Sequence, residues 1–151
     1  MIQETTVEAI EQAPNLREIL DAYASESSIS GMPPYDAQMA NYKQLEAAGI
    51  LHVFAAYAGD RLIGLLVLIV SFLPHYNAKV ATTESFFVDR AHRKTGAGMA
   101  LLRTAEARAA ELGAVGLFIS APRDGRLAKV MQAMPSYTET SRVFFRSLAH
   151  V

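Results

Sequence analysis

The chain has 151 residues, 51% of them hydrophobic, enough for one domain with a real core. Its formal net charge is −1, from 14 Lys plus Arg against 15 Asp plus Glu, a balance that does not suggest a broad nucleic-acid surface. It holds no cysteine, which excludes disulfides, thiolate nucleophiles and thiolate metal sites and fits a cytoplasmic protein. Residues 1–12 fit either a short strand or the lead into a helix, and their acidic side chains stand where a secretory leader is basic. Pro14 suits a first helical turn, after which Leu16, Ile19, Leu20 and Tyr23 share one helical face. Ser25 to Pro34 reads as a loop, because Ser, Gly and the Pro33-Pro34 pair oppose regular structure. A second helix is expected over Tyr35 to Ala48, with Met39, Tyr42, Leu45 and Ala48 on one stripe and Gly49 as its stop.

A hairpin follows, Leu51 to Ala58 and Arg61 to Phe72, turning at Gly59-Asp60. The apolar run Leu62 to Leu73 is too short for a bilayer, which needs roughly 20 residues. Its Leu, Val and Ile content suits a strand covered on both faces, so no membrane partner is expected. After the turn at Pro74 to Asn77, Val80 to Val88 forms a third strand with Glu84 as a polar intrusion. Then come a basic glycine loop, Arg93 to Gly98, and a helix whose face carries Leu101, Leu102, Ala105, Ala109 and Leu112. Val115 to Ser120 reads as a short buried strand, parallel to the one before the helix. A last helix spans residues 124–134, closed by Pro135, and Tyr137 to Leu148 reads as a final strand. The expected fold is α/β of the α+β kind: a mixed, mostly antiparallel central sheet with helices on both faces, in a single domain over residues 1–151.

The strand, basic loop and helix between Thr82 and Gly113 form the stretch most suited to chemistry. Free N–H groups at a helix start seat phosphate, and Gly96 and Gly98 let the backbone approach a ligand closely. The loop is not a mononucleotide P-loop, since no Lys-Ser or Lys-Thr pair follows the second glycine. Nor is it a dinucleotide fingerprint, because Leu101 stands where the third glycine belongs. His52, His92 and His150 have no spacing that points to a metal, so none is expected, and His75 with Tyr76 reads as a surface pair in a turn.

In the pattern Arg93-x-x-Gly96-x-Gly98, set in this order of elements, the chain resembles the GNAT superfamily of N-acetyltransferases, whose acyl-CoA motif is [Gln/Arg]-x-x-Gly-x-[Gly/Ala]. The resemblance covers the chain from about Leu51 onward, with the first fifty residues alike in layout. It implies an acyl-CoA N-acyltransferase-like fold in which a parallel strand pair splays around the coenzyme. Acetyl-CoA is then the cosubstrate. Backbone amides of Arg93, Lys94, Thr95, Gly96, Ala97, Gly98 and Met99 cradle its pyrophosphate, with Arg90, Arg93 and Lys94 adding charge. Backbone groups around Phe87, Val88 and Asp89 pair with the pantetheine arm, helped by a bulge near Glu84 or Ser85. The amide of Phe87 or Val88 faces the developing oxyanion. The acceptor is a small-molecule or protein amine, which attacks the thioester directly, with Glu84 as the general base.

The family's usual general acid, a tyrosine on the helix after the fifth strand, has no counterpart at Val130 to Gln132. Tyr137 is the nearest candidate, with solvent or Ser120 as alternatives. A catalytically weak or inactive module that binds acyl-CoA or a protein partner is the competing reading. Oligomeric state is not readable from the residues, and a homodimer is one compatible assembly.

Overall fold

In a computed structural model, which describes residues 1–149, the chain forms a five-stranded sheet in the order β1-β2-β3-β4-β5. The strands are β1 (Ile2–Thr5), β2 (Leu51–Ala58), β3 (Arg61–Leu73), β4 (Ala78–Val88) and β5 (Leu117–Phe118). The first four are antiparallel neighbours, and β5 lies parallel to β4. The helices are α1 (Val7–Glu11), α2 (Leu16–Ser27), α3 (Met39–Ala47), α4 (Ala97–Glu111) and α5 (Arg126–Ala133). None among the described residues is long and apolar enough to cross a membrane.

The expected period-two and period-3.6 patterns sort the core into two layers. On one face Phe54, Ala56, Leu66, Leu68 and Ala81 pack against Ala97, Leu101, Leu102, Ala105 and Ala109 of α4. On the other, Leu51, Val53, Leu65, Val67 and Phe87 meet Val7 and Ile10 of α1 and Ile19 of α2. Gly64 allows α4 to sit this close: a Cβ there would stand 3.2 Å from Leu101 Cδ1 and 3.1 Å from the Phe87 carbonyl.

Asn15 secures the second layer in a way that spacing alone does not announce. It precedes α2 but makes no side-chain cap. Instead its buried amide reaches β3, where Nδ2 donates to the Leu62 carbonyl at 2.8 Å and Oδ1 accepts the Leu62 N–H at 3.0 Å. Asn15→Ala strands both Leu62 groups. It is expected to cost about 2–4 kcal/mol, read as a lowered urea midpoint. A loss under about 0.5 kcal/mol contradicts this role.

The structure corrects four expectations. Residues 35–38 are irregular, and α3 begins at Met39, with Gln38 in extended conformation before it. α3 buries no residue, and Leu45 of its expected stripe is 39% exposed. The strand at 115–120 shrinks to Leu117–Phe118 at the sheet edge, where Val115 and Phe118 are exposed rather than buried. Residues 137–148 form no strand: they run irregularly, with Val143 and Phe144 exposed and Phe145 and Ser147 against Gly31. The outer side of β5 thus has no ladder partner among the described residues. That is why the β-prone pattern of β5 and of the tail is left without cover. His150 lies outside the described residues.

Candidate active site

The site grows from one extra residue in β4. Leu68 pairs with Thr83 and Val67 with Ser85, so Glu84 is left over as a β-bulge. The bulge changes which backbone groups face β5. Before it, Ala81 N–H donates to the Gly116 carbonyl at 3.0 Å and Val115 N–H to the Lys79 carbonyl at 2.8 Å, so odd-numbered residues face β5. After it, Asp89 N–H donates to the Ile63 carbonyl at 2.7 Å, and Phe87 pairs with Leu65 in the same parity. Alternation then turns the amides of Phe86 and Val88 away from β3. Of the two amides expected from the sequence to face an oxyanion, the bulge turns that of Val88 toward the gap. Phe87 and Asp89 have their amides committed to β3, and in this respect the expectation for them is corrected.

β4 and β5 part company at the bulge. Their pairing is Ala81 with Leu117 and Thr82 with Phe118. The Ser120 N–H then donates to the buried Thr83 hydroxyl at 3.0 Å. Thr83 thus ends the ladder with a side chain in place of a backbone carbonyl. Beyond it Phe86 and Val88 look into the gap. Ser120 has its amide spent on Thr83, and no described contact turns its hydroxyl to Glu84.

The glycine loop closes the end of this gap. Asp89 N–H and carbonyl and His92 tie the first turn: His92 N–H donates to the Asp89 carbonyl at 2.8 Å, and the Asp89 carboxylate lies 3.1 Å from His92 Nδ1. Gly96 takes φ +85°, the left-handed conformation that a side chain strains, and so turns the chain into α4. The Thr95 hydroxyl donates to the His92 carbonyl at 2.7 Å and accepts weakly from Ala97 N–H at 3.4 Å. Gly98 and Met99 amides have no protein partner among the described residues. The first turn of a helix of this length gives these N–H groups a partial positive charge. A shallow depression of about 360 Å³ also borders Thr95 to Ala97, but on the side of Met1, Ile2 and Ala58, away from β5.

The basic residues of the loop are less free than their sequence implies. Arg93 is mostly covered: Nε donates to the Val88 carbonyl at 2.9 Å, Nη2 to Glu26 at 2.6 Å, and its guanidinium stacks 5.3 Å from the Phe87 ring. Glu26 also holds Arg90 at 3.2 Å, and these two cations keep its carboxyl below the usual range against the opposing effect of burial. Lys94 is exposed. Arg126, which the motif did not single out, reaches from α5 to the Arg93 carbonyl at 3.4 Å and adds a positive charge beside the loop.

Glu84 itself is exposed at the bulge. The Tyr42 hydroxyl donates to its Oε1 at 2.8 Å, and the Ser85 hydroxyl donates to Oε2. Tyr23 lies edge-on to Tyr35 with centroids 6.0 Å apart and tilts over Phe87 at 5.8 Å. Burial, then the Glu84 charge, pushes the Tyr35 phenol up to about 12 and raises those of Tyr42 and Tyr23. Sequence spacing could group these tyrosines only as a vague rim, since α2 and α3 bring them to β4 from 42 residues away and more.

Tyr137 is placed elsewhere. Its hydroxyl donates to Glu106, on the third turn of α4, and its ring packs with the α4 core layer. Burial and then Glu106 raise its phenol well above the ordinary value. At about 1.5 Å per residue, Glu106 stands some way down α4 from the loop, and the Tyr137 hydroxyl is held there. His75 and Tyr76 stack in the exposed turn before β4.

The family model described as the Acetyltransferase (GNAT) family matches residues 13–129. Among solved structures, an aminoglycoside acetyltransferase, meta-AAC0020, from an uncultured soil metagenomic sample in complex with sisomicin is 19% identical with a TM-score of 0.74, covering 98% of this chain and 95% of that one. A ribosomal-protein-alanine N-acetyltransferase from Brucella melitensis biovar Abortus 2308 is 17% identical with a TM-score of 0.71, covering 97% and 99%. AAC(6')-Iy in complex with the bisubstrate analog CoA-S-monomethyl-acetylneamine is 21% identical with a TM-score of 0.72, covering 97% and 95%. At these identities the likeness is one of fold. No protein of curated function matches the sequence.

Proposed function

This chain belongs to the GNAT acetyltransferase family, and from that membership we propose that it moves an acetyl group from acetyl-CoA to a primary amine by direct attack. The observation that carries the reading is the gap between β4 and β5. It brings two inward amides, a helix start with free N–H groups and a carboxylate to the same stretch of strand. Acetyl-CoA supplies an activated thioester. The Gly98 and Met99 amides hold its pyrophosphate, with Lys94 and Arg126 contributing charge. The Phe86 and Val88 backbone pairs with the pantetheine arm, and the Val88 N–H donates to the carbonyl oxygen as that oxygen gains charge.

Glu84 takes the proton from the incoming amine, directly or through water, and Tyr42 and Ser85 hold the carboxylate in place for it. The nitrogen forms its bond to the acetyl carbon as the carbon–sulfur bond breaks. The departing thiolate takes its proton from solvent, because α5 carries no tyrosine and Tyr137 is bound to Glu106. That same gap supports a second reading, a module that binds acyl-CoA and turns over weakly or not at all.

Release of coenzyme A thiol in the presence of primary amines, with the acetylated amine identified by mass, tests the proposal. The expected result is amine-dependent thiol release. Saturable acetyl-CoA binding with no turnover across polyamines, amino sugars, amino acids and lysine peptides favours the second reading instead.

A further inference from the structure

Glu26 stands where a carboxylate is least welcome on its own helix. It belongs to the last turn of α2, which holds no basic residue, and the unpaired carbonyls of a helix end repel a negative charge. Two guanidiniums from outside the helix offset this. Arg93 Nη2 meets Glu26 Oε2 at 2.6 Å and Arg90 Nη2 meets Oε1 at 3.2 Å, so each oxygen has its own cation. These pairs tie the end of α2 to the start of the glycine loop. One turn earlier, the Tyr23 ring over Phe87 makes the neighbouring contact between α2 and β4.

The Val88 carbonyl faces the gap as its amide does, and Arg93 Nε donates to it at 2.9 Å. The Arg93 head group therefore stands at the end of the gap, next to the loop whose Gly98 and Met99 amides have no protein partner among the described residues. Glu26 is thus a carboxylate held beside the seat of a multiply charged anion. Its two cations differ in freedom. The Arg90 side chain is 82% exposed and meets only Glu26, whereas that of Arg93 is 17% exposed and fixed by Val88 and the Phe87 ring. A phosphate group arriving at the loop draws Arg90 away first and then shares the Nη end of Arg93. Glu26 is left facing that phosphate with like charge, at the negative end of its own helix.

We propose that Glu26 is a positioning residue that competes with the phosphates of the incoming coenzyme for Arg90 and Arg93, so that binding releases the end of α2. Because α2 also carries Tyr23, the release links the filling of the phosphate loop to the mobility of the helix beside β4. The inference rests on the coenzyme A reading for the identity of the anion, and on the Glu26 pairs for the competition.

Calorimetric titration of wild type and Glu26→Gln, with acetyl-CoA and separately with inorganic pyrophosphate, tests it. Glutamine keeps the length of the side chain and its acceptor oxygen but removes the charge. The expected result is binding of both anions at least about threefold tighter in Glu26→Gln, with the gain shrinking as salt is raised. A carboxylate that merely holds the loop in shape predicts the opposite sign, because its loss disorders Arg93 and weakens binding. Equal or weaker pyrophosphate binding by Glu26→Gln overturns the proposal. Tighter pyrophosphate with no acetyl-CoA binding in either protein keeps the competition and defeats the coenzyme A reading alone. Hydrogen exchange reads the release. The last turn of α2, where the Ser28 N–H donates to the Ala24 carbonyl, is expected to exchange at least about threefold faster in wild type once either anion is bound, and already faster in Glu26→Gln without one. Exchange there that slows or stays the same on binding also overturns the proposal.

Discussion

Glu84→Gln is expected to lower turnover about 10²- to 10⁴-fold while acetyl-CoA binds as before. Glutamine keeps the shape and still accepts the hydrogen bond from Tyr42, so the bulge and its neighbours persist. It cannot take a proton from the amine. The split between turnover and cofactor affinity is the informative part, because Glu84 sits on the acceptor side of the bulge and the phosphate loop lies beyond Val88. Turnover within a factor of about three of wild type would show that water alone deprotonates the amine and would remove Glu84 from the chemistry.

Gly98→Asp is expected to weaken acetyl-CoA at least about tenfold, because it sets a carboxylate among the amides that receive the pyrophosphate. The same substitution is expected to leave the fold intact or slightly firmer. A Cβ at Gly98 meets only Val88 Cγ2, at 3.5 Å, an ordinary contact. An acidic residue in the first turn of α4 favours the helix by about 0.3–1 kcal/mol, and losing a glycine there adds to that. Affinity and stability therefore move in opposite directions. Thermal unfolding of the variant, measured beside its acetyl-CoA affinity, checks both. A variant that loses affinity and unfolds earlier would point to damage to the fold instead. Gly98→Ala separates the charge from the added bulk, since it brings the Cβ without the carboxylate.

Those parts of the molecule that depend on local chemistry were legible in the residues. Gly59-Asp60 marks the hairpin, the aromatic run Phe86-Phe87-Val88 ends a strand, and Gly96 turns the chain into a helix whose apolar face is spaced at 3.6. The bulge was anticipated only as lying near Glu84 or Ser85. Its consequence, that Val88 rather than Phe87 faces the gap, depends on the register with β3, which no local pattern encodes. Partners far apart in the chain were also beyond reach. Glu26 and Arg93 meet across 67 residues, and that contact turns an apparently free phosphate ligand into a tether between α2 and the loop. Glu106 meets Tyr137 across 31 and draws that hydroxyl away from the site. The tail failed for a related reason. Alternation in Val143, Phe145 and Ser147 gives a strand only where an edge receives it, and here the segment lies against Gly31 instead.

These features converge on one claim, that the gap between β4 and β5 with the start of α4 is a coenzyme A site. Calorimetric titration of the wild-type protein with acetyl-CoA tests it most directly. The account predicts saturable binding of one acetyl-CoA per chain, weakened by rising salt as expected for phosphate held by amides and cations. No binding up to millimolar acetyl-CoA would contradict it.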